Sequence, residues 1–324
     1  MVQRRHLVVG AGPIGTALAL RLAAQGDRVQ VVTRGGVDPT HPSVEHLALD
    51  ASDRPALAAC ADGVDVLYNC ANPGPYPVWE KRWPPLAASI LGAAEDSGAV
   101  LVTLSNLYGY GRVDGPITRD SPLRASDHKG ALRNRMWADA LTAHQAGRVR
   151  VTEARASDYL GPTATHASGV LARYAMQTLN GQPAWVFSDP DQPHTWTAVD
   201  DIAATLAVLG VDERAWGQAW LVPSNPPESI RSVLDQLSTR VGAPQPQLRQ
   251  LPRWLVRAGG ALVPLLRELN GVLSQFDYPF VIDAAETTTT FGIEPTDWAA
   301  LLDATARAWA ARAGHQSARG TGAG

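Results

Sequence analysis

Three glycines near the amino terminus constrain this chain more than any other feature. The run His6-Leu7-Val8-Val9 breaks at Gly10-Ala11-Gly12-Pro13-Ile14-Gly15, and a helix-like pattern follows over residues 16–25. A short apolar strand, a G-x-G-x-x-G turn and an immediate helix are the sequence form of a dinucleotide-binding βα unit. Gly10 permits the sharp turn, Gly12 lets the backbone approach a pyrophosphate, and Gly15 lets the helix pack close to the strand. Pro13 suits the first helical position, where its φ is already helical and its missing N–H would have had no partner. The free N–H groups of the first turn and the positive end of the helix dipole then supply an anion site. Gly10, Gly12, Pro13, Ile14 and Gly15 are the expected cofactor turn.

The rest of the first half repeats that unit. Apolar runs predict strands over residues 28–33, 44–49, 64–68, 99–104 and 148–154, and amphipathic patterns predict helices over 53–61, 86–97 and 127–146. A proline-rich loop is expected over 72–77 and a long loop over 105–126, a length that in compact domains is functional or disordered. Strands alternating with helices at this spacing mean an α/β fold, a doubly wound parallel sheet. The second half is less regular: helices are expected over 168–180, after Asp200-Asp201 and over 228–241, with short strands over 185–187 and 219–222. The expected division is a dinucleotide-binding domain over residues 1–157 and a smaller mixed α/β substrate lobe over 158–313, some of whose segments return to the first domain. Residues 314–324 are small and polar and are expected to be a disordered tail. Seven of the ten tryptophans lie after residue 160, where packing a small lobe is their expected role.

Composition narrows the class. A chain of 324 residues can bury a full core, and 45% hydrophobic with 18% charged residues is ordinary for a soluble enzyme. The net charge of −3 argues against a nucleic-acid partner. Two cysteines, Cys60 and Cys70, are too few for a disulfide scaffold and fit a reducing, cytoplasmic compartment. Arg4 and Arg5 precede an apolar run, but that run holds the turn glycines and is cut by Arg21, unlike a secretory leader. A membrane span needs about 18 uninterrupted apolar residues. The stretch over residues 255–266 is interrupted by Arg257 and Pro264, so no membrane partner is expected. No His/Cys/Glu cluster has metal-ligand spacing.

In dinucleotide folds an acidic side chain at the end of the second strand takes the ribose 2′-hydroxyl. Here that place holds Thr33-Arg34-Gly35; an arginine there can pair with a 2′-phosphate, which favours NADP over NAD, and a solvated surface arginine is the alternative. Asp50, after the third strand, is a candidate acceptor for an adenine amino group or a helix cap. Asn69-Cys70-Ala71 ends the fourth strand, where small side chains let a cofactor pass close by.

The chain resembles the extended short-chain dehydrogenase/reductases, in an atypical form, the group also described as the NAD-dependent epimerase/dehydratase family. The resemblance runs from the glycine turn almost to residue 310. It rests on Gly10 to Gly15, Asp50, Asn69 to Asn72, Thr103-Leu104-Ser105 with Tyr108-Gly109, Lys129, Tyr159-Leu160-Gly161-Pro162 and Thr197-Ala198-Val199-Asp200-Asp201. It implies a serine or threonine, a tyrosine and a lysine four residues beyond that tyrosine. The tyrosine exchanges a proton with a hydroxyl or carbonyl, and the lysine holds the nicotinamide ribose and lowers the tyrosine pKa. Lys129 matches the lysine, but Ala125 stands where the tyrosine belongs.

Three readings follow from that alanine. The acid is relocated to Tyr108, Tyr110, Tyr159, His128 or Asp127; or the substrate needs no strong acid; or the chain binds cofactor without catalysing. Ser105, with Thr103 second, is the candidate to hydrogen-bond a substrate oxygen. Arg133, one turn after Lys129, is read as a surface residue, with orientation of an anionic group as its alternative. Asp200 and Asp201 are read as helix caps. The leading expectation is an NADP-dependent oxidoreductase acting on a hydroxyl, carbonyl or conjugated double bond of a small organic molecule, with Ser105, Lys129, Tyr108 and Tyr159 as catalytic candidates. An epimerase or dehydratase that regenerates its cofactor is the nearest alternative, and a non-catalytic NADP-binding sensor the next. The resemblance also implies a homodimer paired through the helices that follow residues 82 and 127.

Overall fold

Apolar runs this continuous are buried on both faces, and the chain meets that demand with helices on either side of a parallel sheet. The computed structural model describes residues 3–35, 41–125, 127–165, 169–252 and 274–320. The sheet is built from β1 (Arg5–Val9), β2 (Arg28–Thr33), β3 (Val44–Ala48), β4 (Val66–Asn69), β5 (Val100–Ser105), β6 (Arg150–Arg155) and β10 (Ala219–Leu221). Its order is β10-β6-β5-β4-β1-β2-β3, and every neighbouring pair is parallel. The chain runs outward from β1 to β3, then returns to β4 on the other side of β1. Ligands of such sheets sit at this reversal, outside the carboxyl ends of the strands.

Alternate residues of each strand feed two cores. Val8, Tyr68 and Val102 pack against α1 (Pro13–Ala24) and α6 (Val199–Val211). Leu7, Leu67, Leu101 and Val151 pack beneath α2 (Arg54–Ala61), α3 (Trp79–Ser97) and α4 (His128–Gln145). The second half supplies β7 (Asp158–Leu160), paired in parallel with β9 (Trp196–Ala198), together with α5 (Val170–Thr178) and α7 (Ile230–Val241). β8 (Ala184–Val186) pairs with β11 (Leu248–Gln250). Both α6 and β10 lie against the first-half sheet although they follow residue 158.

Several local expectations shift. α3 begins at Trp79, ahead of the expected residue 86, and carries Pro84 and Pro85 inside it. Proline removes backbone hydrogen bonds there, but Trp79 and Trp83, one turn apart, are both buried and hold the early turn in place. Asp53 caps α2 by accepting from Ala56 N at 3.2 Å, so Asp50 is not the cap. Asp201 does not cap α6 either. It is buried and accepts from Thr296 N at 2.9 Å and Thr296 Oγ1 at 2.5 Å, while Asp200 is exposed. The last helix, Trp298–Gly320, continues past residue 314, where a disordered tail was expected. No helix among the described residues is long and apolar enough to cross a membrane, and the apolar stretch over 255–266 lies outside those residues.

Candidate active site at the carboxyl edge of the sheet

The glycine turn is shaped by close approach. Gly10 has φ +105°, and a Cβ on it would meet the Cys70 carbonyl oxygen at 2.8 Å. A Cβ on Gly15 would lie 1.9 Å from the Gly10 carbonyl oxygen, so β1, β4 and α1 converge only without side chains there. Gly12 faces open space, and Pro13 stands at the start of α1 as expected, with Ile14 buried beneath it. An open cradle at the amino end of a helix is what a dinucleotide pyrophosphate requires.

The flanks of the cradle are ordered by short-range bonds. Asn69 is buried, and its Oδ1 accepts from Ala71 N at 3.3 Å. Cys70 donates its N–H to Val9 O, and burial pushes its thiol up to about 12, so it is no nucleophile. Thr33 hydrogen-bonds His46 on the neighbouring strand, while Arg34 is exposed. The Asp50 carboxylate lies below its ordinary range because Ser52 donates its backbone N–H and hydroxyl to it, with the Arg34 and Arg82 charges adding to the effect.

At the far side of the switch point a second group gathers. Ser105 ends β5 and is buried. Tyr108 opens a 3₁₀ turn, Tyr108–Tyr110, against which α4 is pressed so closely that a Cβ on Gly130 would lie 2.3 Å from the Tyr108 carbonyl oxygen. Asn134 Nδ2 donates to Gly109 O at 3.0 Å from the same helix. Asp127 caps α4 through Gly130 N at 2.9 Å, and its other oxygen lies 3.7 Å from Lys129 Nζ. The lysine side chain is buried and its Nζ stands 5.3 Å from the centre of the Tyr76 ring. The Tyr76 and Tyr108 hydroxyls are 2.7 Å apart.

Tyr76 belongs to the proline-rich loop, where no motif marks it. The loop leaves the carboxyl end of β4, and that position was the available signal. Tyr159 lies on β7, registered against Thr197. Burial raises the pKa of Tyr76, Tyr108 and Tyr159, so all three hydroxyls stay protonated at neutral pH. Tyr110 is diverted elsewhere: its hydroxyl accepts from Arg155 Nη1 at 2.8 Å, and Arg155 Nε donates to Glu153 at 2.6 Å. His128 is exposed.

Arg133 departs from its surface reading. Its guanidinium lies over the rings of Trp83, at 4.3 Å, and Trp79, at 5.2 Å. Nε and Nη1 are buried without a hydrogen-bond partner. Separately, a groove of about 350 Å³ opens between α3 and α4, floored by Asn69, Thr103 and Glu153. Ser105, Tyr108, Lys129 and Tyr159 are not part of its lining.

The sequence profile described as the NAD dependent epimerase/dehydratase family matches residues 6–215, which hold both the glycine turn and the lysine edge. The chain belongs to this family. Its fold is shared with solved family structures of low identity. The dTDP-glucose 4,6-dehydratase DesIV of Streptomyces venezuelae superposes with TM-score 0.78 at 21% identity, over 96% of this chain and 98% of that one. UDP-glucose 4-epimerase of Thermotoga maritima gives 0.78 at 15%, over 95% and 99%. An epimerase of Methanothermobacter thermautotrophicus gives 0.80 at 17%, over 97% and 94%. No curated protein matches this family member in sequence.

Proposed function

We propose that this family member is an NADP-dependent oxidoreductase acting on a hydroxyl, carbonyl or conjugated double bond of a small organic molecule. The observation that carries the reading is the Tyr76–Tyr108 hydroxyl pair beside the buried Lys129, at the edge of the sheet that the glycine turn opens. A bound nicotinamide dinucleotide supplies or accepts the hydride; proton handling falls to the side chains. Gly10, Gly12, Pro13, Ile14 and Gly15 form the pyrophosphate cradle, flanked by Asn69, Cys70 and Ala71, and Asp50 takes the adenine. Lys129 holds the ribose, and Ser105 hydrogen-bonds the substrate oxygen.

Ala125 stands four residues before Lys129, where the family places its tyrosine, and it has no proton to give. Tyr108 takes that task, with Tyr159 as the neighbouring hydroxyl. A neutral phenol polarises a carbonyl oxygen and passes its proton as negative charge develops there. Tyr76 returns a proton to Tyr108 across the 2.7 Å contact, and the Lys129 ammonium steadies the phenolate left on Tyr76.

Arg34, exposed at the end of β2 beside Thr33, supports NADP because a guanidinium pairs with the 2′-phosphate. The solved structure of DesIV holds NAD, so the preference is tested directly. Titration of both cofactors should show Arg34→Ala losing NADP affinity roughly 10-fold or more, as expected for one charge-assisted contact, with NAD affinity kept. Equal losses, or none, would remove the arginine argument.

The family description and the named activities of the structural neighbours favour one further reading, an epimerase or dehydratase. Assaying NADPH oxidation over a panel of ketones, enones and nucleotide sugars separates the two. Net consumption of added NADPH supports the oxidoreductase, whereas turnover without consumption supports the epimerase or dehydratase.

A further inference from the structure

A buried guanidinium with two unpartnered nitrogens is costly unless an anion joins it. Arg133 is in that position. Its Nε and Nη1 have no hydrogen-bond partner, and desolvation lowers its pKa. The carboxylate whose field reaches it, Glu153, is already committed to Arg155 at 2.6 Å. Trp79, which lies over Arg133, also stacks on the Tyr108 ring with centres 6.3 Å apart and meets the Tyr76 ring edge-on at 5.1 Å, which ties the guanidinium to the proposed reaction edge. Trp83 and Trp79 support the cation from the side of α3. Cation–π contact keeps the guanidinium charged and in place, but it satisfies none of the N–H groups.

We infer that Arg133 receives a carboxylate group of the substrate, so that the reacting molecule is a hydroxy, oxo or unsaturated acid held beside Lys129 and the tyrosine pair. Indole rings lie over the guanidinium, while the N–H groups at Nε and Nη1 are without a partner. A planar carboxylate meets such N–H groups in its own plane, through charge-assisted hydrogen bonds. The tryptophans cover the cation from water, which strengthens that contact. The inference rests on the tyrosine and lysine edge being the reaction site, and it narrows the substrate class of that site.

Ligand-observed saturation-transfer NMR tests it without a known substrate. The full chain, with and without NADP, is titrated with a series of small carboxylates from acetate to benzoate, each against its neutral amide, and with inorganic phosphate and UDP. The expected result is that members of the acid series bind the wild type at least 10-fold more tightly than their amides. Arg133→Met abolishes the difference, and Arg133→Lys keeps part of it. Cofactor binding by the Arg133→Met variant, followed in parallel, reports that it is folded. Should that variant not fold, the acid-to-amide ratio in the wild type and its partial retention in Arg133→Lys decide the matter.

Equal binding of acids and amides overturns the inference, as does an acid preference that survives in Arg133→Met. Phosphate or UDP binding that depends on Arg133 while no carboxylate binds also overturns it. If the wild type fails to bind NADP, the cofactor reading falls, and the acid-to-amide comparison on the unloaded protein still decides the role of Arg133.

Discussion

At the scale of single residues, the site turns on which hydroxyl carries the proton. Burial is the largest cause raising the Tyr108 pKa, with smaller contributions from its coupling to Tyr76 and from the Asp158 carboxylate. A raised pKa keeps the phenol protonated, so the proposed acid is in its working form throughout the neutral range. Turnover in the carbonyl-reducing direction is therefore expected to stay level from about pH 6 to 9, whereas a histidine acid would give an inflection near 6.5. Tyr108→Phe should lower kcat by roughly 10²- to 10⁴-fold, the usual worth of a positioned acid, and Tyr76→Phe by less. A kcat–pH profile of the wild type and both variants checks this; a fully active Tyr108→Phe would contradict the assignment. Ser105, Lys129, Tyr108 and Tyr159 are candidates because they match the motif residues that carry the family resemblance. Tyr76 is not among them, because nothing local to a proline-rich loop says that it folds back over a lysine 53 positions later. Arg133 was misplaced for a related reason: an arginine one turn into a polar helix looks solvated until two tryptophans from another helix are seen against it.

At the scale of elements, the important joint is between α4 and the Tyr108 turn. Two glycines make it, Gly130 on the helix and Gly109 on the turn, and Asn134 ties them with its bond to Gly109 O. Gly130→Ala would set a methyl 2.3 Å from a backbone oxygen, where no flexible side chain can move aside. The helix has to shift, at an expected cost of about 1–3 kcal/mol for overpacking. Because Lys129 is the adjacent residue, the same shift should weaken cofactor binding. Urea unfolding together with a cofactor titration tests both effects, and an unchanged midpoint with unchanged affinity would show that the joint is not tight. α3 makes the complementary point: its start at Trp79 is set by burial of Trp79 and Trp83, against the local preference of Pro84 and Pro85. Propensity and period located the other first-half elements to within a few residues at either end.

At the scale of the whole molecule, the second half is bound back onto the first. β10 completes the sheet beside β6, and α6 packs against α1. Asp201 on α6 anchors Thr296, ahead of the last helix. Desolvation raises its pKa, so the folded chain holds this proton more readily than the unfolded chain does. The contribution of Asp201 is therefore fullest below the unfolded value and declines as pH rises through the folded value. Asp201→Asn, which keeps an acceptor and a donor for Thr296 without the charge, should match or exceed the wild-type melting temperature at pH 7, with the advantage shrinking as pH falls toward 4. Asp201→Ala removes both bonds and should lose about 1–3 kcal/mol. Thermal unfolding at the two pH values checks the sign; a melting temperature for Asp201→Asn well below wild type at pH 7 would contradict it. The sequence by itself determined the glycine turn, the alternation of strands with helices and the helix that carries Lys129, since each depends on periodicity and backbone sterics within a few residues. Only the tertiary structure decided that Tyr76 meets Tyr108, that Arg133 lies against the tryptophans of α3, and that Asp201 reaches Thr296. Those contacts join residues far apart in the chain, and their energy comes from burial and desolvation that arise only once the elements have packed.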